Sequence, residues 1–338
     1  MKRLLAILFV SACSLQAERP ELEWAVEAAG DPSEMQEIRA VWTDESTCMV
    51  LRKSALLGLY QVSERKTLWE KAFDGNVEGF CVGAASAWVV NDIPGKDRAL
   101  LKIAPKDGSV EERIPTSATL KRFGVKLSLP SALEWVPGQN VLAIEEVENR
   151  RSNLHFVDPE KSKKPVMAEL VGYFWNTSSM QRGAAYVHHG VIYRIDARSG
   201  THETVWDTGL GEGGEDYPAL CDYAVTPDGG FAAIVDKGGW SSGFDLSCRE
   251  GKDGEIRKVT SDLEVGLVKI DMPRRRIIRV SRDKPTVRVL DFQMRSVGEP
   301  SERIPHNCWH ASISPSGNRV ALIDAAGAIL FFRLPEQG

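Results

Sequence analysis

The chain has 338 residues, 43% of them apolar and 26% charged, with a formal net charge of −5, the composition of an ordinary globular protein. Taking Lys2 and Arg3 from its 42 basic residues, as part of a leader, leaves 40 against 47 acidic ones, a net of −7. That balance argues against nonspecific nucleic-acid binding, which needs a positive surface to displace counterions, and against contact with anionic membrane surfaces for the same reason.

Lys2 and Arg3 precede the apolar run Leu4 to Val10 and the small residues Ser11 and Ala12, the anatomy of a secretory signal. Such a run is too short to cross a bilayer core, which needs about 20 residues. Two processing routes fit. Val10-Ser11-Ala12-Cys13 resembles a bacterial lipobox, in which Cys13 is lipidated after removal of residues 1–12. Ordinary cleavage after Ala17 instead gives a leader of 1–17 and a soluble secreted protein. Either route implies export, to the periplasm, to the outer membrane or out of the cell. The remainder, 18–338, is expected to be one domain, because closed all-β architectures exceed the usual domain length as single units.

Leu22 to Val26 alternates apolar and polar residues and predicts a strand. Seven later segments share one pattern: a short apolar strand, a tight polar turn and a second strand ending in a large residue. They are Leu56 to Tyr60, leading to Leu68-Trp69; Ala99 to Ile103, with the turn Lys106-Asp107-Gly108; Leu154 to Asp158; Val191 to Asp196, leading through Arg198-Ser199-Gly200 to Val205-Trp206; Gly243 to Leu246; Val287 to Asp291; and Ala328 to Leu334. With Leu59, Ile103, Phe156, Ile195, Leu246, Leu290 and Phe332 as markers, the steps are 44, 53, 39, 51, 44 and 42 residues. A four-stranded propeller blade takes ~40–45 residues. Before these hairpins lie inner-strand patterns such as Tyr223 to Thr226, the turn Pro227-Asp228-Gly229-Gly230 and Phe231 to Val235. Ala311 to Ser314, Pro315 to Asn318 and Arg319 to Ile323 repeat it. Continuous apolar runs of this kind suit strands covered on both faces.

The expected fold is therefore an all-β propeller of seven four-stranded blades. The chain ends within six residues of Phe332, so Leu22 to Val26 is expected to pair beside Ala328 to Leu334 as the missing outermost strand and remove an open edge. Ile192 to Gly200, running on to Trp206, resembles the repeat of quinoprotein-like propellers, and Tyr60 to Trp69 is a weaker copy. The turn at 314–318 is similar to that of WD40-type and YVTN-type propellers. The resemblance implies a fold more than a function. Fold and location together are similar to the lipoprotein propellers that serve outer-membrane assembly machinery, which implies an envelope protein as partner.

Several residues invite a chemical reading. In an extended strand His306, Cys308 and His310 would share one face, and imidazole with thiolate suits zinc or copper; an inner-strand role is the plainer expectation. His188-His189-Gly190 reads as a hairpin tip. Gly209 to Gly214 lacks the Lys-Ser/Thr pair of a phosphate loop, though Glu212, Glu215 and Asp216 could hold calcium. Glu145, Glu146 and Asp222 are expected near the channel mouth, where paired carboxylates can divide acid and base roles. Arg274-Arg275-Arg276 and Lys161 to Lys164 read as solvated turns. Lipidation would leave five cysteines, Cys48, Cys81, Cys221, Cys248 and Cys308. Cys221 and Cys248 fall in one repeat, and spacing alone does not decide connectivity.

Of nine tryptophans, Trp42, Trp135, Trp175 and Trp309 fall on or near inner strands and Trp69 and Trp206 end outer ones, where packing between blades is expected. Trp240, in the loop Gly238 to Gly243, is the candidate contact anchor. These readings assign no catalytic, metal or cofactor-binding residue. They favour a noncatalytic envelope scaffold that binds a protein or peptide. The alternative is a propeller enzyme, a hydrolase or lyase using channel-mouth carboxylates with or without calcium.

Overall fold

Among the described residues every regular element is a β-strand, as short apolar runs punctuated by Pro and Gly require. The computed structural model describes residues 19–28, 38–52, 55–83, 86–96, 98–115, 130–136, 141–148, 151–158, 166–171, 185–188, 191–207, 219–236, 243–263, 266–282, 285–305, 307–324 and 326–336. The strands are β1 (Glu21–Val26), β2 (Arg39–Trp42), β3 (Thr47–Arg52), β4 (Leu56–Gln61), β5 (Lys66–Ala72), β6 (Asn76–Val82), β7 (Ala87–Asp92), β8 (Ala99–Ile103) and β9 (Val110–Pro115). They continue as β10 (Pro130–Val136), β11 (Val141–Glu148), β12 (Arg151–Val157), β13 (Val166–Val171), β14 (Ala185–His188), β15 (Val191–Ile195), β16 (His202–Asp207), β17 (Ala219–Val225) and β18 (Phe231–Asp236). The last are β19 (Phe244–Arg249), β20 (Arg257–Ser261), β21 (Leu267–Asp271), β22 (Arg276–Val280), β23 (Val287–Asp291), β24 (Cys308–Ile313), β25 (Arg319–Asp324) and β26 (Ile329–Arg333).

These strands make seven small antiparallel sheets: β2 to β5, β6 to β9, β10 to β13, β14 to β16, β17 to β20, β21 to β23, and β24 to β26 completed by β1. The turns follow from their residues. In Thr226-Pro227-Asp228-Gly229 the Gly229 N–H donates to the Thr226 carbonyl at 3.0 Å, and in Ser314 to Gly317 the Gly317 N–H donates to Ser314 at 2.8 Å. Pro presets the first corner, and the last residue takes φ of 85° and 78°, left-handed values that glycine tolerates without strain.

The apolar core lies between sheets. Strands β3 and β22 are buried along their whole length, while the outer strands β5 and β20 alternate exposed and half-buried positions over most of theirs. Seven apolar clusters each join two sheets, as in Phe80, Val89 and Leu101 with Met49 and Leu57, or Leu142 and Ile144 with Trp88 and Leu100. The seventh packs Cys48, Val50 and Tyr60 of the first sheet against Ala321, Ile329 and Phe331 of the last. The tryptophans of outer strands β5 and β16, Trp69 in mid-strand and Trp206 near its end, reach the following sheet. Trp69 donates its indole N–H to Pro105 at 2.7 Å, and a Cβ at Gly108 would stand 2.7 Å from its ring. Trp206 stacks on Phe231 with centroids 4.9 Å apart.

Among the described residues two sheets, β14 to β16 and β21 to β23, have three strands rather than the expected four. Beyond β23 the chain does not form a strand, because Pro300 and Pro305 cannot donate to a ladder. Residues 296–304 cover the edge instead, with the N–H groups of Val297, Ser301 and Ile304 donating to Val289, Val287 and Pro285 at 2.8, 2.9 and 2.8 Å.

β1 pairs with β26 from Glu21↔Arg333 to Val26↔Ile329, as expected of Leu22 to Val26, but the register shifts past Glu23, so the alternation breaks and Leu22 stands exposed. Trp24 stacks on Phe331, centroids 5.4 Å apart. The Glu23 carboxylate accepts Arg319 Nε at 2.6 Å and Arg333 Nη2 at 2.6 Å. Burial alone would raise the Glu23 carboxyl, but these guanidinium hydrogen bonds outweigh it and hold it below the ordinary value. From the first sheet, buried Arg52 donates to the carbonyls of Glu27 at 2.8 Å and Gly327 at 3.3 Å.

The basic run at 274–276 is a solvated turn only in part: Arg275 is exposed, while Arg274 and Arg276 turn inward. Arg276 is fully buried and donates to Asp271 at 2.9 Å, to the Pro335 carbonyl at 2.8 Å and to the Gly317 carbonyl. Arg274 donates to Asn318 at 2.8 Å, and a Cβ at Gly317 would collide with Arg274 and Asp271. Asp271 and Arg276 face each other across the turn that closes β21 and β22, so their pairing neutralises a charge that the packing of the last two sheets buries.

Two expectations follow for stability. Deleting residues 18–30 is expected to lower the melting temperature sharply, and Glu23→Ala to cost about 2–3 kcal/mol by leaving Arg319 without its carboxylate. Because the folded Glu23 pKa is depressed, its contribution is present above the ordinary carboxylate range and is lost as pH falls through the folded value. Denaturation curves of wild type and Glu23→Ala should therefore converge on acidification. Arg276→Met is expected to cost about 3–5 kcal/mol by stranding buried Asp271, and Asp271→Leu in the same chain should restore most of it. An Arg276→Met variant as stable as wild type would refute the role given to the Asp271–Arg276 pair.

Candidate functional site

The first strands of neighbouring sheets lie side by side, β17 against β21, β21 against β24, β24 against β2, and β6 against β10. Four of them share an irregularity near their start. The register shifts past Glu78 in β6, Ser131 in β10, Cys221 in β17 and Trp309 in β24, leaving one unmatched residue in each. Bulges of this kind re-aim side chains, and they concentrate at barrel rims and beside sites. Here they mark one common end of the sheets.

The polar residues beside the bulges stitch one sheet to the next. Asp222, buried, accepts Lys269 Nζ at 2.9 Å and the Ile270 N–H at 2.7 Å. Both partners lie on β21, so this candidate acid spends its lone pairs on a seam rather than facing a substrate. Trp42 of β2 donates to the Ser312 carbonyl of β24 at 3.0 Å. Glu145 and Glu146 pair in register with Ala132 and Pro130, astride the β10 bulge.

His310 closes the seam between β24 and β2 through a hydrogen bond with the Ala40 backbone. Burial, with the positive charges of Lys269 and Arg39, pushes its pKa down to about 3, so the imidazole is neutral at ordinary pH. Its Nε2 is buried without a partner among the described residues. Cys308 and His310 pair with Asp324 and Ile323, successive register positions that face opposite ways. The bulge thus overturns the one-face arrangement expected of His306, Cys308 and His310; His306 itself lies outside the described residues. Burial and Asp324 push the Cys308 thiol up to about 12, which disfavours the thiolate a metal needs. Among the described residues no group of three His, Cys, Asp or Glu could hold a metal ion.

The five described cysteines are thiols. Cys221 and Cys248 lie on β17 and β19 with β18 between them. Two strand spacings separate their backbones by about 9–10 Å, beyond the reach of a disulfide.

What the rim leaves open is Trp309, the extra residue of the β24 bulge, 49% exposed. Trp42 and Trp88 are buried, and Trp24, Trp69 and Trp206 are engaged as described above. No comparable hydrogen bond or ring contact holds Trp309 among the described residues. Packing between blades, expected of it from its inner-strand position, is therefore the wrong reading. Its exposure arises from the bulge, which no residue pattern in the strand announces. Cys13, Trp240, Trp175, His189, Lys161 to Lys164, the Gly209 to Gly214 segment, Glu212, Glu215 and Asp216 lie outside the described residues.

Over 94% of its length the chain is similar to the solved WD40 domain of Neurospora crassa Pan2, covering 96% of that chain with a TM-score of 0.63 at 14% identity. At that identity the likeness is one of fold. No family model matches the chain, and no curated protein does.

The buried neutral histidine has a measurable consequence. The unfolded chain takes up a proton on His310 near 6.5 and the folded chain near 3. Its contribution is therefore intact above the unfolded value and is lost as pH falls, by up to about 1.4 kcal/mol per pH unit. The His310 ring resonances are expected to stay constant between pH 5 and 8, and a midpoint near 6.5 would show the imidazole to be open to solvent.

Proposed function

We propose that this WD40-like β-propeller is an exported, noncatalytic scaffold that binds a protein or peptide in the cell envelope. The observation that carries the reading is the division of labour at the bulged rim. Asp222 is buried, and Cys308 and His310 are partly buried, in seams between sheets, while an aromatic side chain is presented outward. An enzyme using channel-mouth acids needs a carboxylate available to substrate, and Asp222 is held by Lys269 and the Ile270 amide. The fold adds a rigid platform, on which recognition falls to loops and strand ends.

The scaffold is a seven-bladed ring closed by β1. Its support is the succession of seven inter-sheet clusters, the last of them joining the final sheet to the first, together with the β1–β26 ladder. Lipidation at Cys13 would orient this ring. β1 begins at Glu21, eight residues later, a span of at most about 28 Å. Glu21 pairs with Arg333, at the sheet end opposite the bulges. An anchored protein would then turn its bulged rim away from the membrane.

The test is capture of partners by the tagged full-length protein from its own host's envelope, read by mass spectrometry, with Trp240→Ala as control. A stoichiometric protein, depleted about tenfold in the variant, is the expected result. Recovery of the bait with no enriched protein would overturn the scaffold reading.

A further inference from the structure

We infer that the seam joining the last sheet to the first is an acid-released latch, held at its inner edge by His310 and at its outer edge by Glu23, which frees β1 while the other sheets stay packed. The latch is independent of the scaffold reading. Elsewhere the outer strand of one sheet leads into the first strand of the next, as β5 leads into β6 and β20 into β21. From the last sheet to the first, the chain crosses only through β1, in which no residue is fully buried. At the inner edge His310 bonds to the Ala40 backbone of β2, beside Trp42, whose indole donates to the Ser312 carbonyl at 3.0 Å. At the outer edge Glu23 accepts Arg319 and Arg333, each at 2.6 Å. Arg319 also donates to the Glu45 carbonyl of the first sheet at 3.0 Å, so one guanidinium ties together β1, β25 and the bend between β2 and β3.

Both edges titrate toward release. Held in the seam, the His310 imidazole takes its proton only near 3, chiefly because burial strips water from the ring. Lys269 of β21, paired with Asp222 at 2.9 Å, and Arg39 of β2 add to the effect. Burial sets the sign, which needs neither cation to be uncompensated. On its own sheet the flanking acid is Asp324, opposite Cys308. Released, the imidazole returns to about 6.5. The opened seam therefore binds a proton that the latched one refuses, and its opening constant rises about tenfold per pH unit below that value. Glu23 follows in its own range. Against burial, which would raise it, Arg319 and Arg333 hold it below 4.5, and once released it takes up a proton as pH falls past that value. Across the seam from β1, Arg52 of the first sheet is bonded to Glu70. Between the edges lies the apolar cluster of Trp42, Val50, Tyr60 and Phe331, where burial keeps the one phenol protonated. Among the described residues the other depressed carboxyls bond chiefly within their own turns, at Asp44, Asp107, Asp196, Asp228 and Asp291, or lie on the exposed surface, at Glu250. Acid thus singles out this seam.

The test is hydrogen exchange of the full-length protein between pH 7.5 and 4, followed by NMR and corrected for the intrinsic rate at each pH. The amides of β1 and the Trp42 indole N–H should lose about tenfold in protection at pH 5.5 and about a hundredfold at pH 4.5, relative to pH 7.5. Those of β7, β8 and β18 should keep theirs. His310→Asn keeps a side-chain N–H for Ala40 and lacks the titrating ring, so its protection at β1 should stay level from pH 7.5 to 5.5. Glu23→Gln should keep the loss over that interval and show a shallower one below pH 4.5. Melting curves at pH 7.5 show that both variants fold. Constant protection at β1 in the wild type, an equal loss in β7 and β18, or an undiminished loss in His310→Asn would overturn the latch.

Discussion

The ladder between β1 and β26 is the contact on which the rest of this architecture depends, because it joins residues some three hundred positions apart. No sheet here is stable alone. Each has only three or four strands and buries its faces against neighbours, so the first and last sheets are completed only when the chain ends meet. Fixing so long a loop costs entropy that grows slowly with length, and strongly held groups offset it. Glu23 accepts guanidinium hydrogen bonds from Arg319 and Arg333, Trp24 stacks on Phe331, and Arg52 reaches from the first sheet to the carbonyls of Glu27 and Gly327. Contacts of this sequence separation form late and slowly.

The same demand for inter-sheet adhesion explains where the polar residues went. Arg276 and Asp271 are buried as a pair between the last two sheets, Asp222 binds the strand beside its own, and His310 bonds to the first sheet. A buried ion pair is weak evidence for net stability but strong evidence for a defined arrangement, since removing one member strands the other. These groups fix how the sheets meet. What the seams leave exposed at the described rim is Trp309, displaced outward by one extra position in its strand.

Much of this was legible in the residues. Steps near 45 between outer hairpins, Pro-Asp-Gly and Pro-Ser-Gly corners, and continuous apolar runs such as Phe231 to Val235 each reflect a local rule, and each met the expected local structure. Trp69 and Trp206 lie on outer strands and pack on the next sheet as expected, although Trp69 stands in mid-strand rather than at its end. The readings that failed share a cause. Arg274 to Arg276 looked solvated because three like charges beside a proline usually are, and the burial of Arg276 depends on Gly317 and Pro335 arriving from a different sheet. His306, Cys308 and His310 looked aligned because alternation was assumed, and one unmatched residue reverses it.

By itself, then, the sequence determined the strand content, the repeat, the turns and the pairing of the first strand with the last, because strand alternation, φ preferences and the period of a repeat are local properties carried by consecutive residues. Only the tertiary structure decided which polar groups are spent in seams and which aromatic stays exposed. Burial and electrostatic partners are set by residues far away in the chain, and the register of a bulged strand is fixed by the strand it pairs with rather than by its own side chains.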